Sequence, residues 1–154
     1  MKGKVIISGN VMGTALTSKS PISFWGGLNP LTGEIIDRRH DLSGSNVKGK
    51  IFIFPKGKGS STSSAVLLES IKNKVAPAAI INLKVDAILA LGAIIAEELG
   101  YPTVPMVILS PDDFKEINEG DHVSISSDGT VIVKPSTKKV NADSPKKNKE
   151  KSCE

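Results

Sequence analysis

Glycine and serine residues concentrate in one stretch of the chain, Gly57 to Ser64 (GKGSSTSS). It follows a short hydrophobic run, Ile51 to Phe54, and precedes a helical pattern, Ala65 to Asn73. Glycine lets the backbone approach a ligand closely, and a helix N-terminus presents unpaired N–H groups and positive potential. The stretch therefore predicts a loop that binds a carboxylate or a phosphate. Spacing alone leaves a second interpretation open, in which the serines only cap the helix.

A nucleotide-binding P-loop is excluded by the spacing of the same residues. That loop needs a glycine five positions before its Gly-Lys pair and a serine or threonine directly after the lysine. Here Phe52 occupies the first of these positions relative to Gly57, and Gly59 separates Lys58 from Ser60. Both ends of the nucleotide motif are thus absent.

A second cluster, Ser23 to Gly27 (SFWGG), holds the single tryptophan of the chain beside two glycines. A large aromatic residue next to Gly26 and Gly27 is typical of the wall of a ligand cleft. Equally, Trp25 is compatible with a small satellite core beneath a long loop. His40, in the segment RRHD, is predicted to be a surface histidine rather than a ligand.

Strand and helix patterns alternate around these two clusters. The predicted strands are Lys4–Ser8, Thr14–Thr17, Ile51–Phe54, Ala78–Leu83 and Thr103–Leu109, and the predicted helices are Ala65–Asn73 and Pro111–Glu119. The pattern of Asp86–Leu99 fits either one buried helix or a strand followed by a helix from Gly92. A hairpin, His122–Ser126 with Thr130–Val133, turns at Asp128-Gly129. The fold class is therefore α/β, a single domain with a β-rich layer packed on a small α/β layer.

Charge and composition divide the chain at residue 135. Residues 1–135 carry 14 basic against 13 acidic residues, whereas residues 136–154 carry six lysines, three acids and one aliphatic residue, Val140. The first part is the expected domain, and the second is expected to be a disordered Lys-rich tail. The near-neutral domain and an aromatic content of 4% argue against nucleic-acid binding. We expect a cytoplasmic protein, because no membrane span or secretory signal is visible.

Only one cysteine, Cys153, is present in the chain. We therefore expect no metal site in this chain, and a Cys-bound metal or iron–sulfur group would have to be held by a partner.

Three blocks in order make the sequence resemble the aconitase X swivelling-domain family. They are SFWGG with the Asn29-Pro30, Thr32-Gly33 and Asp37 that follow it, then FPKGKGSSTSSAVLLE, then VAPAAIINLKVDAILALGAIIAEEL. The similarity runs from about residue 3 to residue 135. It implies a swivelling β/β/α domain and a role as the small subunit of a hydro-lyase, active only with a large catalytic subunit, as a heterodimer or a higher assembly.

The resemblance also implies a substrate, a cofactor and site residues. The expected substrate is a phosphorylated hydroxy acid, (R)-mevalonate 5-phosphate, dehydrated to trans-anhydromevalonate 5-phosphate in isoprenoid biosynthesis. The alternatives are another hydroxy acid such as cis-3-hydroxy-L-proline, or a noncatalytic anchoring subunit. The large subunit is expected to hold a [4Fe-4S] cluster.

In this family a Gly-x-Gly-Ser loop supplies a serine base, which corresponds here to Ser60 after Gly57-Lys58-Gly59. The substrate-binding candidates are Trp25, Gly26, Gly27, Gly57, Lys58, Gly59 and Ser61. Distant aconitases place an arginine where this chain has Thr62, so the carboxylate contact of that arginine is expected from Lys58 or from the partner.

Overall fold

The computed structural model of the chain describes residues 1–59 and 61–136. Ser60 and residues 137–154, which make up nearly all of the expected tail, lie outside the described residues, so the predicted division at residue 135 stays a prediction. The elements are β1 (Lys4–Ile7), β2 (Val11–Thr17), α1 (Phe24–Gly27), β3 (Ile51–Ile53), α2 (Ser63–Lys72), β4 (Ala79–Asn82), α3 (Ala87–Glu98), β5 (Met106–Ile108), α4 (Pro111–Glu116), β6 (His122–Ile125) and β7 (Val131–Lys134).

The strands form one seven-stranded sheet in the order β1-β5-β4-β3-β2-β6-β7. Strands β2, β3, β4 and β5 run parallel, while β1, β6 and β7 pair antiparallel with their neighbours. The two halves of β2 have different partners, since residues 11–14 pair with β6 and residues 15–17 pair with β3. Strand β2 thereby joins the parallel sheet to the antiparallel ribbon β6-β7.

The parallel sheet is covered on both faces, and the alternation along β3 shows how. Phe52 and Phe54 point into one core, where they contact Phe24 and helices α2 and α3, with ring centroids 4.5 to 6.2 Å apart. Ile51 and Ile53 point into a second core with the ribbon β6-β7 and residues near α4. Strands buried on both faces read as continuous apolar runs, which is the pattern of Ile51–Phe54. The three layers confirm the predicted β/β/α fold class.

The structure decides one open alternative and corrects one expected strand. The segment Asp86–Leu99 is one helix, because Asp86 caps it and no strand precedes Gly92. The predicted strand Thr103–Leu109 shortens to Met106–Ile108. Pro102 and Pro105 lack the N–H that a ladder requires, which accounts for the late start of β5.

The expectation of a surface position for His40 is wrong. His40 is 7% exposed, and its ring contacts the neighbouring backbone. The Leu42 N–H donates to His40 Nδ1 at 3.1 Å, and His40 Nε2 lies 3.4 Å from the Ser20 carbonyl oxygen. The histidine thus holds together two parts of the long connection between β2 and β3.

No helix among the described residues is long and apolar enough to span a bilayer.

Candidate functional site

The candidate site is a cleft at the carboxyl ends of the parallel strands β2, β3 and β4. Three connections form it: the segment around Ile22 after β2, the Lys56–Gly59 loop after β3 and the Lys84–Asp86 turn after β4. The cleft has a volume of about 320 Å³. Ligands of parallel α/β sheets bind at this end of the strands, because the connecting loops converge there.

Backbone hydrogen bonds hold the glycine loop against its neighbours. The Lys58 N–H donates to the Ile22 carbonyl oxygen at 3.1 Å, and the Ile22 N–H donates to the Lys56 carbonyl oxygen at 3.4 Å. The Leu83 N–H donates to the Pro55 carbonyl oxygen at 2.9 Å. These hydrogen bonds extend the backbone pairing of the sheet into the loop, and they fix the backbone position of Lys58.

Gly57 packs directly against Asp86. A side chain at Gly57 would overlap Asp86 Oδ2. The other oxygen of Asp86, Oδ1, accepts hydrogen bonds from Ile88 N at 3.0 Å and Leu89 N at 3.1 Å, which caps α3. Because residue 57 has no side chain, the loop can pack directly against the start of α3.

Helix α2 begins at the same cleft. Its first residue, Ser63, lines the cleft, and Ser63 Oγ accepts a hydrogen bond from the Trp25 N–H at 3.3 Å. Gly59, just before the helix, has φ of +92° and lies beside Ser23, where a Cβ would be 3.5 Å from its Oγ. A positive φ of this size is rarely adopted by other residues, so the loop turns into α2 on glycine.

The two helix N-termini are close because α2 and α3 pack tightly. A Cβ on Gly92 of α3 would lie 2.6 Å from the Ser64 carbonyl oxygen of α2, so the helices approach to a distance that only glycine allows. Ser63 of α2 and residues 86–89 of α3 line the same cleft. The first residues of both helices therefore line one small volume, with the N-terminus of α3 capped by the Asp86 carboxylate.

Charged side chains at the cleft are mainly basic. Lys56, Lys58 and Lys84 are exposed and line it, and Asp86 is the acidic residue among the lining side chains. In the part of the chain that the structure describes, none of these lysines forms an ion pair. Three ammonium groups with the N-terminus of α2 make a site for a ligand with more than one negative charge, since Asp86 already caps the N-terminus of α3.

The structure brings some of the sequence-predicted residues together and not others. Gly57, Lys58 and Gly59 line the cleft, while Ser60 lies outside the described residues. Ser61 is exposed and is not among the residues that line the cleft, and its carbonyl oxygen accepts a hydrogen bond from Ser64 Oγ at 3.0 Å.

Of the SFWGG cluster, Phe24 lines this cleft, whereas Ser23, Trp25, Gly26 and Gly27 do not. Trp25 is 58% exposed, so the interpretation as a satellite core residue is wrong, and its side chain is not among those that line the cleft. Gly26, with φ of +78°, turns the chain there in open space. A Cβ on Gly27 would lie 3.2 Å from Ile22 Cγ1, so Gly27 packs behind the cleft wall.

Among the polar residues that line the cleft, sequence reasoning missed four. They are Lys56, Ser63, Lys84 and Asp86. Asp86 had a detectable signal, because an aspartate directly before an apolar helical pattern is a helix N-cap signature. The lysines had none, since their convergence depends on which strands are neighbours.

A second polar cluster joins Ser18, His40 and Asp41, the residue types of a hydrolase triad. The Ser18 hydroxyl donates to Asp41 Oδ1 at 2.6 Å, whereas His40 Nε2 is 3.4 Å away from Ser18 Oγ. A nucleophilic serine must instead give its proton to the imidazole. His40 Nδ1 lies 3.0 Å from Asp41 Oδ1, but it accepts the Leu42 N–H and therefore does not donate to the carboxylate, so the contacts are those of a structural network.

The described residues do not offer a metal-binding site. They contain no group of three His, Cys, Asp or Glu side chains that could hold a metal ion. Cys153 lies outside them. The residues present do not fit the iron–sulfur cluster that the family resemblance implies.

Comparisons with known proteins agree on one family. The model of the family "Aconitase X swivel domain" matches residues 1–133. The phosphomevalonate dehydratase small subunit of Methanosarcina acetivorans is 41% identical over 142 residues, which cover 91% of this chain and 95% of that protein. The crystal structure of Thermococcus kodakaraensis aconitase X in its holo-form has a chain with a TM-score of 0.78 and 36% identity, covering 87% of this chain and 97% of that one.

A longer enzyme also contains a matching region. The cis-3-hydroxy-L-proline dehydratase of Pseudomonas aeruginosa is 45% identical over 106 residues, which cover 69% of this chain but 18% of that enzyme.

Proposed function

The chain belongs to the aconitase X swivel-domain family, and we propose that it is the small subunit of a phosphomevalonate dehydratase. In this function it forms, with a large subunit, an enzyme that converts (R)-mevalonate 5-phosphate to trans-anhydromevalonate 5-phosphate. The observation that carries the proposal is the 41% identity to a protein of that name over nearly the full length of both chains.

The charge of the cleft supports this substrate. Mevalonate 5-phosphate carries a carboxylate at one end and a phosphate at the other. The cleft offers Lys56, Lys58 and Lys84 together with the N-terminus of α2. Each of these groups stabilises an anion, so a ligand with two separate anionic groups matches the site better than a singly charged one.

The reaction requires one proton to leave the carbon next to the carboxylate and one hydroxyl to leave the neighbouring carbon. The electron pair of the broken C–H bond forms the new C=C bond, and the C–O bond breaks with its electron pair on the hydroxyl, which takes up one proton and departs as water. We assign the proton abstraction to Ser60. The support is its position in the chain, between Gly59 and Ser63, which both line the cleft.

A serine hydroxyl is a weak acid, so its alkoxide must be strongly stabilised before it can act as a base. Lys58 and the N-terminus of α2 precede and follow Ser60 in the chain, and both contribute positive potential at the cleft. We assign the binding of the substrate anions to the same groups. The iron–sulfur cluster that the resemblance implies finds no ligand set among the described residues, and the proposal places it in the large subunit.

The test compares Ser60→Ala with Ser61→Ala in the assembled two-subunit enzyme. Ser60→Ala is expected to lower kcat by roughly 100-fold to 10,000-fold, the usual loss of a general base, with little change in melting temperature. Ser61→Ala is the matched control, and it is expected to keep kcat within a few-fold. A Ser60→Ala enzyme with near-normal turnover refutes the assignment of the base.

A second candidate substrate is cis-3-hydroxy-L-proline, and the 45% identity to the Pseudomonas aeruginosa enzyme favours it. That compound has no phosphate, so it leaves part of the basic cleft without a partner. Measuring kcat/KM for both compounds with the assembled enzyme separates the two candidates. A higher kcat/KM for the hydroxyproline would show that it, rather than mevalonate 5-phosphate, is the substrate. The role of Ser60 would then be tested with the same two serine variants on that substrate.

A further inference from the structure

Helix α3 is apolar on two opposite sides. Its inner side, with Leu89, Ala93 and Ala96, is buried against the core. A second set of side chains is left uncovered, and each is between 37% and 62% exposed: Leu91, Ile94, Ile95 and Leu99. We call this set the outer α3 face.

The spacing places these residues on one side of the helix. Leu91, Ile94 and Ile95 stand at i, i+3 and i+4, and Leu99 follows at i+8, just past the helix end. A helix that is apolar all round is normally buried on all sides. We therefore expect the outer α3 face to be buried by a binding partner.

The distribution of charge along α3 indicates what the cover must offer. Helix α3 has no charged residue before Glu97 and Glu98, which occupy its last turn. Acidic groups at a helix C-terminus oppose the helix dipole, so they are unfavourable for the free chain. A partner with an apolar patch bordered by lysine or arginine would fit both features.

The outer α3 face is continuous with the candidate site. Val85, just before the N-cap Asp86, is exposed and lines the cleft, and Ala87 and Ile88 in the first turn of α3 line it too. A molecule that closes the open side of the cleft would thus meet the start of α3 at the same time. The location of the outer α3 face next to the cleft therefore indicates a partner that also completes the site.

We propose that the outer α3 face is the docking surface for the large subunit, and this proposal rests on the proposed function. The matching region of the Pseudomonas aeruginosa dehydratase amounts to 18% of its length, so the same kind of domain is joined there to a much larger polypeptide. The occupant is accordingly the large subunit, through an apolar patch with a basic border. A second copy of this chain is the competing occupant.

The test introduces positive charge into the outer α3 face and measures binding to the large subunit from the same source. The double variant Leu91→Lys with Ile94→Lys is expected to weaken the Kd at least 100-fold in calorimetric titration. The matched control is Met12→Lys with Ile132→Lys, two exposed apolar positions on β2 and β7. The control is expected to bind within about threefold of the unmodified chain, and thermal melting verifies that both variants stay folded.

Each other outcome overturns the proposal. Unchanged binding of the Leu91/Ile94 variant, or equal weakening by the control, would remove the outer α3 face as the docking surface. An isolated chain that dimerises and becomes monomeric in the Leu91/Ile94 variant would assign the face to a second copy. An unmodified chain that does not bind the large subunit would refute the docking and the subunit assignment together.

The binding measurement needs no substrate, so it is independent of the proposed reaction. A complex that forms through the outer α3 face but does not dehydrate mevalonate 5-phosphate would refute the substrate and leave the docking surface intact.

Discussion

Replacing Gly57 by alanine tests the contact on which the shape of the cleft depends. The new Cβ would overlap Asp86 Oδ2 and lie 3.1 Å from Asp86 Cγ. Gly57 does not have a positive φ, so alanine itself is compatible with the backbone there. Alanine also restricts the unfolded chain, which stabilises the protein by roughly 0.4–1 kcal/mol, so any net loss of stability must come from the steric conflict with the carboxylate.

Two responses relieve this conflict, and their costs differ. Shifting the loop would strain the hydrogen bonds that tie it to Ile22, and overpacking of this kind costs roughly 1–3 kcal/mol. Moving Asp86 away would release Ile88 N and Leu89 N, and loss of an N-cap costs about 1 kcal/mol. The cheaper response dominates, so the steric conflict in Gly57→Ala should lower the free energy of unfolding by roughly 1–2 kcal/mol.

A double-mutant cycle reveals which response occurs. Asp86→Ala alone removes the cap and should cost about 1 kcal/mol. The Gly57→Ala/Asp86→Ala variant should cost about the same as Asp86→Ala alone, because the obstacle is gone and the cap is already lost. The coupling free energy is then roughly 1–2 kcal/mol, well above the few tenths expected for independent sites.

The assay is urea denaturation followed by circular dichroism, with thermal melting as a second measure at roughly 4 °C per kcal/mol for a chain of this size. Ser110→Ala is the control cap, because Ser110 Oγ accepts from Asp113 N at 3.2 Å at the start of α4, away from Gly57. Its effect should add to that of Gly57→Ala. Additive effects in the Gly57/Asp86 cycle would show that the contact argument is wrong.

Two further variants test the helix contact and the acid stability. In Gly92→Ala the new Cβ would lie 2.6 Å from the Ser64 carbonyl oxygen, so α2 and α3 must move apart. The free energy of unfolding, measured by urea denaturation, is expected to fall by roughly 1–2 kcal/mol even after the gain of about 1 kcal/mol in helix propensity. Unchanged stability would contradict this expectation. The pKa of Asp128 is lowered to about 2, first by the hydrogen bond from the Thr130 backbone N–H, then by the Thr130 side chain and Lys2. Since this folded pKa lies below the unfolded value, the contribution of Asp128 to stability is present above about pH 4 and is lost as the pH falls to about 2. Melting temperatures of the unmodified chain and of Asp128→Asn should therefore converge over that interval, and a gap that stays constant would be the contrary result.

The sequence alone determined the local parts of this protein. Ile51–Phe54 followed by a glycine loop and a helical pattern predicted a strand, a loop and a helix, and the structure has them as β3, a loop and α2. The hairpin at Asp128-Gly129 was readable for the same reason. These features depend on periodicity, turn residues and caps, which are properties of neighbouring residues.

Only the tertiary structure decided which of these parts come together. The ambiguity of Asp86–Leu99 was resolved by packing against α2, where Gly92 meets Ser64. The burial of His40 depends on contacts with Ser18 and Ser20 some twenty residues earlier in the chain. A local pattern contains no information on such partners, so the expectation for His40 was wrong.

The candidate site shows the same division. The Gly-x-Gly loop was visible in the sequence, but Lys84 and Asp86 joined it only because β4 lies next to β3 and delivers its following turn to the same edge. Strand order is set by hydrogen bonds between distant segments and by burial of both sheet faces. The chemistry of the loop is therefore written in its residues, whereas the basic cleft around it exists because the sheet places three separate loops side by side.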